Sequence, residues 1–122
     1  MIIDKLNFEA PYLSLDSEFY DMTDPLPLDD PYLISFNPYA AELIGLECNS
    51  GEDPRFVELL NGTFIPKGAR PFSMCYAGHQ FGHYAPRLGE GRAINLGSIN
   101  GWHLQTKGSG ETLYARMSDG RA

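Results

Sequence analysis

The segment from Gly89 to Lys107 leaves few choices: it reads as a glycine-rich loop running directly into a β-hairpin. Leu88-Gly89-Glu90-Gly91-Arg92 leads into Ala93–Leu96 (AINL), a strand candidate. Asn100-Gly101 follows as the turn, because a type I′ hairpin needs positive φ at both central residues. Trp102–Lys107 (WHLQTK) alternates in facing and is the return strand. Two familiar phosphate loops are thereby excluded. A dinucleotide-binding GxGxxG turn must open a helix, and here a strand follows. A Walker loop needs GxxxxGK[ST], which is absent.

A glycine loop between antiparallel strands is the arrangement that covers ATP phosphates in protein kinases. Gly89 and Gly91 permit close backbone approach, and Arg92 adds a charge-assisted donor for phosphate oxygens. Lys107 ends the strand after the hairpin, a place comparable to that of the phosphate-contacting lysine of kinases. On spacing alone, an ordinary hairpin loop with an exposed arginine and a solvated lysine accounts for the same residues. Asp119-Gly120 is by itself a turn signal whose carboxylate and amides can also face a ligand.

The charge distribution narrows the partners. Residues 1–60 hold thirteen Asp and Glu against Lys5 and Arg55, and residues 61–122 hold three acidic and seven basic residues. The acidic half repels nucleic acid and anionic membranes, so neither is an expected partner. The basic half holds the glycine loop and suits a small phosphorylated ligand. No run of eighteen apolar residues is present, and the N-terminus lacks the basic and apolar regions of a signal peptide. Cys48 and Cys75 fit no CxxC pattern and read as free thiols in a reducing cytoplasm. His79 and His83 form an HxxxH without a third metal-like ligand, so no zinc site is expected.

The fold expectation is α+β, N-terminal helices followed by an antiparallel β-meander. Residues 1–30 read as an extended acidic lead-in, residues 31–70 as a helical segment, and residues 71–122 as the glycine-rich sheet. Within the second segment, 32–36 (YLISF) is a short strand candidate. Asn37-Pro38 and Asp53-Pro54 each supply an N-cap and an N1 proline. The two helices they start should end near Gly45 and at Asn61-Gly62. Thr112–Met117 (TLYARM) is a last strand candidate.

Five segments in order, NPYAAELIGL, CYAGHQFG, LGEGRAINLG, LQTKGSGETLYAR and SDGRA, resemble the selenoprotein O family. The resemblance runs from about residue 30 to the end of the chain. It implies a protein-kinase-like pseudokinase fold that binds ATP in a flipped orientation. It also implies transfer of AMP to Ser, Thr or Tyr hydroxyls of protein substrates, with Mg2+ or Mn2+. Carried over by motif, Gly89, Gly91 and Arg92 hold the nucleotide, Lys107 contacts its phosphates, and Asp119 and Gly120 complete this side of the pocket. The chain departs from the family pattern in having Glu90 where Asp is usual, Thr106 before the lysine, and Leu113 and Ala115 in the segment after it. The family's general base and metal ligands fall beyond residue 122. The chain is therefore expected to be an N-terminal fragment that is inactive alone. The alternative is a non-catalytic nucleotide-binding or interaction module. An uncovered sheet edge beside apolar surface further suggests a homo-oligomer.

Overall fold

The computed structural model describes residues 3–76, 78–80, 82–85 and 89–114. Its architecture is α+β: two short helices and a four-stranded antiparallel sheet, with a separate two-stranded hairpin. The strands are β1 (Tyr20–Met22), β2 (Phe72–Met74), β3 (Gly78–Gln80), β4 (His83–Ala85), β5 (Ala93–Ile99) and β6 (Trp102–Lys107). The main sheet runs β1-β2-β5-β6, and β3 pairs only with β4. The sheet is thus consecutive in its strands except where the β3–β4 hairpin steps out between β2 and β5.

Both helices start where the Asx-Pro signals place them. In α1 (Pro38–Leu43) the Asn37 side chain accepts hydrogen bonds from the Tyr39 and Ala40 amides, at 3.0 and 3.3 Å. In α2 (Pro54–Asn61) the Asp53 carboxylate accepts from the Arg55 amide at 3.0 Å, and Gly62 closes the helix at φ 84°. These caps satisfy amides that have no partner inside the helix. Replacing Asp53 by alanine is expected to destabilise the protein by about 1 kcal/mol. Chemical denaturation would register this as a lower midpoint at unchanged slope.

The core joins segments far apart in the chain. Ala41 and Ile44 of α1 and its end, and Leu59 of α2, pack with Leu96 and Ile99 of β5. Ile3, Leu6 and Phe8 join them from the expected lead-in, at 0%, 1% and 4% exposure. That segment also supplies β1, which pairs with β2 through Tyr20↔Met74 and Met22↔Phe72. Arg55 fastens its first turn, with Nε 3.0 Å from Asp4 and the guanidinium 4.5 Å over the Phe64 ring.

Gly97 explains how the first residues reach the sheet. A bulge shifts the β5–β6 register between Asn95 and Gly97, and Gly97 adopts φ 126°. A Cβ there would lie 2.4 Å from the Glu9 carbonyl oxygen. The missing side chain lets residue 9 lie against β5, where Glu9 and Ser98 exchange both backbone hydrogen bonds, at 2.8 and 2.6 Å.

Two strand expectations need correction. Residues 32–36 form no strand. Tyr32 and Ile34 are exposed while Phe36, two residues further on, packs edge-on against Phe56 at 4.9 Å, so the segment does not alternate with the period of a strand. Among the described residues no strand pairs with them, and without a partner there is no ladder. Residues 112–114 are likewise not a strand; 115–117 lie outside the described residues. The Thr112 hydroxyl accepts from the Tyr114 amide at 3.1 Å and donates to the Glu90 carbonyl. Such local side-chain bonding competes with ladder formation.

Candidate functional site

The site is built on the β5–β6 hairpin and the loop before it. Asn100 and Gly101 take φ 51° and 77°, the positive values required of a type I′ turn. The register Ala93↔Lys107 sets the lysine opposite the residue that follows the glycine loop. The Gly108 amide donates to the Arg92 carbonyl at 2.8 Å, closing the open end of the hairpin. Arg92 and Lys107, both exposed, are thereby held at one corner of the sheet.

The loop itself is anchored on its inner side. The Gly89 amide donates to the Tyr76 carbonyl at 3.1 Å and the Glu90 amide to the Met74 carbonyl at 3.0 Å. Gly89 is buried at φ 63°, and a Cβ there would lie 2.4 Å from the Tyr114 ring. Glycine is required at 89 on both counts. Gly91 is not among the positive-φ glycines, so its backbone makes no such demand.

Glu90 is the residue whose part spacing did not disclose. Its carboxylate faces inward rather than toward a ligand. One oxygen accepts from the Met74 amide and from Asn95 Nδ2, each at 2.7 Å, and the other from Gln105 Nε2 at 2.8 Å. Gln105 Nε2 also donates to Asn95 Oδ1 at 3.0 Å, and Asn95 Nδ2 to the Phe72 carbonyl at 3.2 Å. The available signal was the pair of polar residues, Asn95 and Gln105, at facing positions of adjacent strands. Tyr12 stacks on Phe72 nearby, with ring centroids 5.5 Å apart. Burial, then the negative charge of Glu90 and Cys75, raises its phenol above the ordinary value.

Beside Lys107 a cavity of about 310 Å³ opens between β6 and the segment that straps it. Leu26, Leu28, Leu60, Asn61 and Ser109 line it with Lys107. The strap is held at two points. Asn61 makes a two-way amide pin to the Leu28 backbone, at 2.7 and 3.1 Å, and the Leu26 amide donates to the Ser109 carbonyl at 2.8 Å. Gly89, Gly91 and Arg92 do not line this cavity.

Of the residues expected to form the site, Arg92 and Lys107 are neighbours at the open end of the hairpin, and Gly89 and Gly91 precede Arg92 in the loop. Asp119 and Gly120 lie outside the described residues, as do the side chains of His79 and His83. Cys48 and Cys75 are free thiols. Among the described residues no three His, Cys, Asp or Glu side chains gather to hold a metal ion. No helix among them is long and apolar enough to cross a membrane.

Comparison with known proteins decides the family. The family model described as protein adenylyltransferase SelO matches residues 2–122. The chain belongs to the SelO family. Relatives named protein nucleotidyltransferase YdiU share its sequence along nearly its whole length. That of Thiobacillus denitrificans is 40% identical over 98% of this chain, and that of Thioalkalivibrio sulfidiphilus 43% over 98%. That of Bradyrhizobium sp. is 44% identical over 94%. The chain spans about a quarter of the length of these relatives, 26%, 25% and 24% respectively.

Proposed function

We propose that this chain is the N-terminal, nucleotide-facing part of a pseudokinase protein adenylyltransferase, with a kinase-like N-lobe, that moves AMP from ATP to Ser, Thr or Tyr hydroxyls of proteins. The observation that carries the reading is the Ala93↔Lys107 register joined by the Gly108–Arg92 hydrogen bond, which holds two cations beside a glycine loop. Family membership supports the same reading.

In this reading the acceptor hydroxyl oxygen bonds to the α-phosphorus of ATP as its proton passes to a base or to solvent water. The bond from that phosphorus to the bridging oxygen breaks, and pyrophosphate leaves with the electron pair. Negative charge grows on the phosphoryl oxygens and on the leaving group. Arg92 and Lys107 are cationic donors for that charge. Asp119 and Gly120 belong to the same pocket in this proposal. The described residues supply no ligand set for Mg2+ or Mn2+, so no step is assigned to a metal here.

The test is labelling of protein acceptors by the full-length protein with ATP carrying its label on the α-phosphate. Transfer from the α position and none from the γ position is the expected result. Transfer of the γ label would make it a kinase and sink the proposal. The 122-residue chain alone is expected to bind ATP, measured by calorimetry, without transferring label.

A further inference from the structure

We propose that Glu90 is the positioning residue of the glycine loop, fixing it against the lysine-bearing strand. The role rests on the nucleotide reading above. Glu90 stands between the two glycines, where a side chain pointing outward would meet the phosphates and repel them. Its carboxylate instead turns under the loop and accepts from three donors on three strands: the Met74 amide on β2, Asn95 on β5 and Gln105 on β6. Asn95 is itself only 5% exposed. Gln105 lies two residues before Lys107 and so on the same face of β6. One side chain thereby sets the height of the loop over β2 and its distance from the strand that carries Lys107.

The pattern requires a carboxylate. All three partners present N–H groups, and an acceptor with two oxygens satisfies them together. A glutamine would keep one oxygen and turn an NH2 group toward donors. Aspartate keeps both oxygens and is shorter by one methylene. The outer side of the loop is held by separate bonds, with the Thr112 hydroxyl on the Glu90 carbonyl and the Tyr114 ring against Gly89. Loss of the carboxylate should therefore loosen the loop without releasing it.

Kinetics and hydrogen exchange on the full-length protein test this. Glu90→Gln is expected to raise KM for ATP about tenfold with kcat within about twofold, the signature of lost nucleotide positioning rather than lost chemistry. Glu90→Asp is expected to stay within about threefold of wild type. The Met74 amide should exchange about tenfold faster in Glu90→Gln, with or without ATP. Gln105→Leu removes one donor from an exposed strand position, and about a threefold rise in KM is expected from it even where Glu90→Gln does not fold. A wild-type protein that binds no ATP overturns the nucleotide reading and the loop's role with it. A wild-type protein that binds ATP, beside variants with unchanged KM and unchanged Met74 exchange, overturns the positioning role alone.

Discussion

Replacing Lys107 with alanine in the full-length protein is expected to lower AMP transfer about a hundredfold or more while leaving the fold intact. The size follows from removing one preorganised donor to charge that develops on phosphoryl oxygens. The intact fold follows from position. Lys107 is exposed at the end of β6, and its backbone pairing with Ala93 does not depend on the side chain. A stability change within about 0.5 kcal/mol is therefore expected. Lys107→Arg should recover only part of the activity, since a planar fork does not replace a compact ammonium. Labelling rates from α-phosphate-labelled ATP, with melting curves alongside, separate the two effects. Undiminished labelling by the alanine variant would remove the lysine from the mechanism.

The second large effect belongs to the other end of the chain. Leu6→Ala is expected to cost about 2–5 kcal/mol, because it empties a buried site that cannot fully collapse. Leu6 is 1% exposed among Ile3, Phe8, Leu59 and Leu96. For a chain of this size that corresponds to a fall in melting temperature of about 10 °C or more. Leu28→Ala is the contrast. Leu28 is 55% exposed, and its pin to Asn61 uses backbone atoms, so about 1 kcal/mol or less is expected. A Leu6 variant as stable as the Leu28 variant would show that the segment Ile3 to Phe8 is not part of the core.

These two residues mark what could be read in advance. Lys107 was legible because the hairpin announces itself: Asn-Gly imposes positive φ, and the strands on either side are long enough to alternate. The helix starts were legible for a similar reason, since an Asx side chain before proline bonds the amides two and three residues on. Leu6 was not legible. Three apolar residues within an acidic, proline-bearing stretch carry weak periodicity, and their partners lie some forty to ninety residues away. The YLISF segment misled in the opposite sense. Its run of β-prone apolar residues suits a strand, but a strand exists only where another strand supplies the ladder.

Glu90 shows the same division within the site. Its neighbours Gly89, Gly91 and Arg92 suit a phosphate loop by residue type but equally an ordinary hairpin loop, and the ordered family motifs around them favour the first. The direction of its carboxylate depends on where Met74, Asn95 and Gln105 fall once β2, β5 and β6 are side by side. Sequence by itself determined the local elements: two capped helices, a type I′ hairpin, a glycine loop before it, a lysine at its end, and the family to which the ordered motifs belong. Each rests on backbone preferences acting over a few residues, or on motifs kept in linear order. Tertiary structure alone decided that Ile3, Leu6 and Phe8 enter the core, that β3 and β4 leave the main sheet, and that Glu90 turns inward. Those outcomes depend on contacts between distant segments, which no local preference encodes.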